Sequence, residues 1–360
     1  SGQKAFELYD TFGFPIDLTR LIASEKGLTI DDKGFEIALA EQKDRARNAA
    51  QKQVGDWFVL DEGESSSFVG YDNLKVTGAK VLKYRTVKLK KENQYQIVLN
   101  TTPFYAESGG QAGDTGWLTI DGEKIKVLDT QKENDLSIHI VEKLPENLDS
   151  PVIAEVNPIE RKSTESNHTA THLMHAALHN VLGKNALQKG QSVDSDKLRF
   201  DFSHFQKVTE EELATIEKIV NEKIREDIAL EEQRDLPIEE AKASGAMMLF
   251  GEKYGENVRV ITFDKDFSTE LCGGTHVSST GKIGLFKIQS EGAVAAGIRR
   301  IEAITAEKAE AFVNTELEEL KNIRTLLKSS NDTAKQVESL QEENKRLKKE
   351  MEKLVAAQAS

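Results

Sequence analysis

The chain has 360 residues, 30% of them charged, with 48 Lys+Arg against 61 Asp+Glu and a formal net charge of −13. That length accommodates two or three compact units. No run approaches the roughly 20 apolar residues of a membrane span, and one cysteine excludes an internal disulfide framework and fits a reducing, cytoplasmic setting. The acidic balance disfavours a general polyanion binder, because phosphate contacts need Lys and Arg, but it leaves room for a local basic stripe.

In chain order, residues 1–55 read as helical. Pro15 can open a helix whose apolar side is Leu18, Leu21 and Ile22 and which Gly27 ends. Asp31 or Asp32 can cap the next, which carries Phe35 and Leu39 and turns polar through Arg47. Residues 56–157 change character, with β-rich runs at 74–84, 94–100, 117–120, 124–129, 137–141 and 152–156 separated by turn signals, a spacing that predicts a small antiparallel β-barrel. Lys80, Lys83, Arg85, Lys88, Lys90 and Lys91 form a basic run there without an acid, readable as a stripe for polyanions or as solvated surface. Glu107, Gly109, Gly110 and Gln111 lie in a glycine-rich loop that on spacing alone is an ordinary turn.

Residues 158–305 predict an α+β unit with helices on one face of an antiparallel sheet. A helix is expected from Asn167 to Leu182, with Leu173, Ala177, Leu178 and Val181 apolar and Gly183 as its stop. A strand around Leu198, Phe200 and Phe202 follows, then a helix opened by a Thr209/Glu212 capping box, then strands at 228–234, 258–263, 284–289 and 299–304. Arg299 and Arg300 make a second basic point. Residues 306–360 are charged and helical. Val337, Leu340, Asn344, Leu347, Met351 and Leu354 fall on successive a and d positions, and Leu320, Ile323 and Leu327 give a similar seam before Ser329, Ser330, Asn331 and Asp332 break the phase. A helical hairpin and self-association through an intermolecular coiled coil both satisfy that pattern.

Two segments stand apart chemically. His168 and His172 are four apart, so on a helix both imidazoles project from one face. His175 and His179 continue the stripe, so periodicity leaves open which two of the four face a ligand. A hundred residues on, Cys272 and His276 repeat the spacing around Gly273-Gly274, which favours a tight turn. Histidines with one cysteine suit tetrahedral zinc. Thr171, Gln188 and the Cys272 thiol lie near these segments in sequence and could read a small polar substrate, whereas no Ser-His-Asp arrangement is evident.

The segments HTATHLMHAAL and ELCGGTHV resemble the two halves of the zinc motif in the editing domain of the alanyl-tRNA synthetase family. The resemblance continues, in the family's order, through LYDTFGFPIDLT (8–19), FYAESGGQAGDTG (104–116), LRFDFSHF (198–205) and GIRRIEAIT (297–305). It implies that His168, His172, Cys272 and His276 hold Zn2+ and that His175 and His179 do not. It also implies a two-layer editing architecture shared with threonyl-tRNA synthetase, with Glu107, Gly109, Gly110 and Gln111 as a pocket wall. Its implied organisation is the end of an acceptor-recognition domain at 1–55, a β subdomain at 56–157, an editing core at 158–305 and helices leading to a C-terminal domain at 306–360. The aminoacylation domain, with its ATP and Mg2+, would lie upstream of this stretch.

The implied activity is hydrolysis of the ester in tRNA(Ala) mischarged with serine or glycine, with Thr171 and Gln188 reading the serine hydroxyl and Cys272 beside them. Asp10 is matched to an acceptor-stem contact, though capping a local turn is its plain reading, and Arg299 and Arg300 to the tRNA backbone. A free-standing editing protein and a zinc-stabilised tRNA-binding or dimerisation module without activity are the alternatives.

Overall fold

The structure is a computed structural model. It describes every residue except 13, 15, 50–52, 63–65, 89–92, 249–254, 329–331 and 359–360, and no side chain at 12, 17, 21, 43–49, 53–54 or 358. Pro15, Lys90, Lys91, the Leu21 and Arg47 side chains and the expected break at 329–331 therefore lie outside the described residues. Two compact units result, Ser1–Ala306 and Glu307–Ser360. No helix among the described residues is long and apolar enough to cross a membrane.

The first unit opens with helices Gly2–Phe12, Ile16–Glu25 and Asp32–Ala49. Ala5, Phe6, Ile16, Phe35 and Ala38 form their small core. Asp31 caps the third helix, its carboxylate accepting from the Gly34 N–H at 2.9 Å, so the first of the two candidate aspartates does the capping.

A nine-stranded antiparallel sheet follows. Its order is Gln53–Val54, Val81–Lys88, Asn93–Leu99, Leu136–Val141, Glu123–Glu133, Gly116–Ile120, Val152–Val156 and Lys75–Ala79, with Phe58–Val59 beside Val81–Lys88. The expected closed β-barrel is corrected: this path is open. The run read as one strand at 74–84 is two strands separated by Lys80 alone. The first pairs with Val152–Val156 and the second with Asn93–Leu99, so the chain passes from one end of the path towards the other through Lys80 without a ladder between the two strands. Alternation still decides the core, with Ile97, Leu99, Leu118, Ile125, Val127 and Val152 buried together.

His139 is a buried polar member of this sheet. Its Nδ1 donates to the Ile97 carbonyl at 3.0 Å and its Nε2 lies 2.7 Å from the Thr102 hydroxyl. Burial, against the opposing pull of that carbonyl, lowers its pKa from 6.5 to about 4. The unfolded chain therefore takes up a proton through this window that the native state does not. Stability is full above 6.5 and falls as pH drops towards 4. We expect a loss of about 2 kcal/mol between pH 7 and pH 5 from this group. Urea unfolding should show a shallower pH slope for His139→Gln than for wild type, and equal slopes would rule the assignment out.

Residues 158–305 build two further sheets. The four-stranded one has the order Gln188–Val193, Leu198–Ser203, Ile298–Thr305, Phe286–Ala295. Helices Pro158–Leu182 and Glu210–Arg225 share a core with it through Leu173, Ala177, Ile216, Val220, Phe200, Phe202, Phe286 and Ile301. The Thr209/Glu212 capping box is present in both directions. The smaller sheet orders Glu231–Pro237, Asn257–Phe263 and Ser268–Leu271. The second unit carries the helix Ala306–Leu326 from Glu307 onward and the helix Thr333–Gln358. Along Thr333–Gln358 the seam residues Val337, Leu340, Leu347, Met351 and Leu354 remain exposed.

Candidate metal centre

The helix Pro158–Leu182 is the platform. Asn157 caps it by accepting from the Ile159 N–H at 3.2 Å, Pro158 occupies the first turn, and Gly183 ends it at φ 92°. It begins nine residues before the apolar pattern that marked it, because its first turns are buried through polar groups: Arg161, Thr164, Ser166 and Asn167. Arg161 pairs with Asp114 of the glycine-rich loop region and donates to the carbonyls of Gly70 (2.7 Å) and Pro103 (2.9 Å), bolting the helix to the nine-stranded sheet.

One turn on, His168 and His172 meet the turn that carries Cys272 and His276. One donor atom from each lies within 4.8 Å of all the others. Cys272 Sγ is 3.5 Å from His168 Nε2 and 3.3 Å from His276 Nε2. A tetrahedral zinc with N at about 2.0–2.1 Å and S at about 2.3 Å sets donors roughly 3.3–3.6 Å apart, so these separations fit.

The opposite edge of each imidazole is also provided for. Gln111 Oε1 accepts from the Thr275 N–H at 2.9 Å and lies 2.7 Å from His168 Nδ1. A carbonyl oxygen only accepts, so His168 carries its proton on Nδ1 and offers Nε2 to the centre. His276 Nδ1 lies 3.1 Å from the Thr169 hydroxyl. His172 Nδ1 has no hydrogen-bond partner among the described residues and lies 3.8 Å from Glu270 Oε1. Burial pushes the pKa of all three imidazoles down, His168 and His276 well below the ordinary value, with neighbouring imidazoles adding to it. Neutral imidazole is the form that binds metal. Burial alone would raise the Glu270 carboxyl, but the His172 and His175 rings beside it hold it down, at about 2.

The remaining predicted residues are distributed as follows. His175 lies against Glu270 Oε2 at 3.5 Å and meets the His179 ring edge to face, outside the four-donor group. The Thr171 hydroxyl is buried and donates to the Asn167 carbonyl at 2.8 Å. Gln188 is half-buried at the start of its strand, opposite Phe202. The glycine-rich loop docks on that same strand: Val193 N–H donates to Gly110 O at 2.7 Å, and Gln191 Nε2 to Gly109 O at 2.6 Å. Glu107 is exposed and its N–H donates to Thr130 O. Asp10 is exposed and accepts from Gln42 Nε2 at 2.6 Å. Arg299 and Arg300 each give two guanidinium nitrogens to one carboxylate, Glu291 at 2.5 and 2.6 Å and Asp201 at 2.6 and 2.8 Å. A phosphate would have to displace those partners. A surface cavity of about 540 Å³ along Glu231, Gln233, Thr262 and Thr269 is lined by none of the metal donors.

Sequence reasoning placed Gln111 in a pocket wall and missed its bond to His168. It also missed Thr169 and Glu270. Glu270 left a signal, since strand alternation puts it on the same face as Cys272; Thr169 left none.

Comparison with known proteins gives two family models. Residues 1–158 match the class II (A) tRNA synthetases, and residues 258–302 match the second additional domain of threonyl and alanyl tRNA synthetases. The chain is 59% identical over 355 residues to an alanine–tRNA ligase of Cytophaga hutchinsonii, 53% identical over 361 residues to one of Christiangramia forsetii, and 51% identical over 352 residues to one of Parabacteroides distasonis. These alignments cover 98–100% of this chain but only 40–41% of each relative, so it spans about two fifths of their length.

Proposed function

Since the chain belongs to the alanyl-tRNA synthetase family, we propose that it is the family's editing portion: a cytoplasmic hydrolase that cleaves the ester of tRNA(Ala) carrying serine or glycine. The convergence of His168, His172, Cys272 and His276 is the observation that carries this reading, because it joins the two halves of the editing motif in one buried site. Zinc bound there would anchor both segments and supply a positive centre towards an ester oxygen. Four protein donors fill a tetrahedral zinc, which favours a structural metal, so selection falls to this chain's other residues.

In the reaction, water adds to the ester carbonyl carbon and the bond to the terminal ribose oxygen breaks, releasing serine and a free hydroxyl on the tRNA. Thr171 and Gln188 are the proposed readers of the serine hydroxyl, the Thr171 oxygen as an acceptor while its proton stays on Asn167 O. Alanine lacks that hydroxyl and would leave these groups unpaired, so its ester is spared. Asp10, Arg299 and Arg300 remain proposals for tRNA contact, the two arginines by exchanging carboxylate for phosphate.

The test is release of labelled serine from seryl-tRNA(Ala), with alanyl-tRNA(Ala) alongside. We expect selective release, at least about 100-fold slower after Cys272→Ala with His276→Ala, and reduced serine-over-alanine selectivity after Thr171→Val with Gln188→Ala. A folded, zinc-loaded chain that releases nothing would instead be a tRNA-binding module, the reading that the closed donor set alone favours.

A further inference from the structure

The turn Cys272-Gly273-Gly274 has all three of its carbonyl oxygens held from outside the metal centre. Arg259 Nη1 donates to Cys272 O at 3.1 Å and to Gly274 O at 2.5 Å. Tyr71 Oη donates to the carbonyl between them, Gly273 O, at 2.6 Å. With the carbonyls drawn one way, the turn aims N–H groups the other way. Gly274 N–H lies 3.4 Å from Cys272 Sγ, and Thr275 N–H donates to Gln111 Oε1, which also holds His168.

The two clamping residues come from different parts of the fold. Arg259 sits on the strand Asn257–Phe263, which pairs in the small sheet with Glu231–Pro237, the strand of solvent-facing Arg234. Tyr71 comes from the β-rich region before Lys75–Ala79, and the guanidiniums of Arg259 and Arg234 lie 4.0 and 5.1 Å from its ring centre. Arg234 in turn grips Asp72 with both terminal nitrogens at 2.6 and 2.9 Å, and Glu232 binds both arginines. Arg259 thus reaches the turn carbonyls through Nη1 and pairs with Glu232 through Nη2 at 3.0 Å, a fork that fixes where the guanidinium lies. Burial raises the Tyr71 phenol above its ordinary value, which keeps it a donor.

We propose that Tyr71 and Arg259 are positioning residues of the metal centre: by holding the carbonyls of residues 272–274 they fix the N–H groups that face the cysteine sulfur, and so tie metal affinity to contact between the β-rich region and the small sheet. This rests on the reading that the four donors hold zinc. It predicts effects on the metal that the four ligands alone would not show. N–H groups directed at a thiolate withdraw charge from it, so loosening the turn leaves the sulfur more electron-rich, while a turn no longer held in place must be ordered before it can bind, and the metal is bound more weakly.

The experiment uses the whole chain loaded with zinc for affinity and with Co2+ for spectroscopy. Tyr71→Phe removes one hydroxyl while keeping the ring against the two arginines. Arg259→Lys keeps the charge but loses the planar fork that reaches the turn carbonyls through Nη1 while Nη2 holds Glu232. We expect zinc affinity, measured by chelator competition, to fall about tenfold in Tyr71→Phe and towards 100-fold in Arg259→Lys, with the thiolate-to-cobalt charge-transfer band moved to longer wavelength in both. Wild-type affinity and an unmoved band in both variants, on a wild type that binds one metal, would overturn the proposal and leave the metal reading intact. A folded wild type that binds no metal would overturn both.

Discussion

Gly274→Ala is expected to empty the metal centre. A Cβ on Gly274 would stand 2.1 Å from Cε1 and 2.5 Å from Nδ1 of His168, and 2.6 Å from Gln111 Oε1. Those atoms cannot step aside cheaply. His168 is buried and gripped by Gln111 at 2.7 Å, and Gln111 is itself fully buried and bonded to Thr275. The imidazole would have to leave its place, taking a donor with it. We expect metal affinity to fall by at least about 100-fold, while far-ultraviolet circular dichroism stays native. Gly273→Ala supplies the control, because a Cβ there meets nothing within 4 Å. Direct metal analysis after dialysis decides the matter: full occupancy in Gly274→Ala, or equal loss in both variants, would show that steric access to His168 is not what the glycine protects.

Arg161→Met is expected to destabilise the first unit by about 3–5 kcal/mol. Its side chain is 1% exposed and Asp114 is 5% exposed, so the substitution strands a carboxylate in the interior. It also removes the donors to Gly70 O and Pro103 O. Among the described residues the Asp114 carboxylate would keep the Tyr105 N–H at 2.6 Å alone, too little for a buried charge. Adding Asp114→Asn to Arg161→Met should recover part of the loss, since the double variant no longer buries an unpaired ion. Urea unfolding followed by tryptophan fluorescence reads both. A single variant within about 1 kcal/mol of wild type, or a double variant as unstable as the sum of the singles, would refute the assignment of Arg161 as the bolt between helix and sheet.

Both predictions concern residues whose importance was hidden in the sequence, and the reason is separation along the chain. What lay within a helical turn or a strand was legible. The capping box at Thr209 and Glu212, the Gly183 stop, the alternation through Leu198, Phe200 and Phe202, and the shared face of His168 and His172 each follow from backbone geometry over a few residues. The same local logic misjudged the start of the metal helix, because Arg161, Thr164, Ser166 and Asn167 are buried through polar contacts and carry no apolar period. It misjudged the β-rich region for a related reason. A single residue between two strands gives a corner, and whether a twisted sheet closes depends on where its edges end up, not on the alternation within each strand.

By itself the sequence determined the chemistry of the metal centre: three imidazoles and one sulfur at spacings that a helix and a tight turn can present. It also determined the amphipathic elements that carry them. Only the tertiary structure decided which histidines converge on Cys272, that His168 carries its proton on Nδ1, and that Gln111 reaches His168 across 57 positions and Thr275 across 164. A residue's period fixes the direction of its side chain within an element. Which distant group that side chain meets is set by how separately folded layers dock, and docking is a property of buried surfaces that no local pattern records.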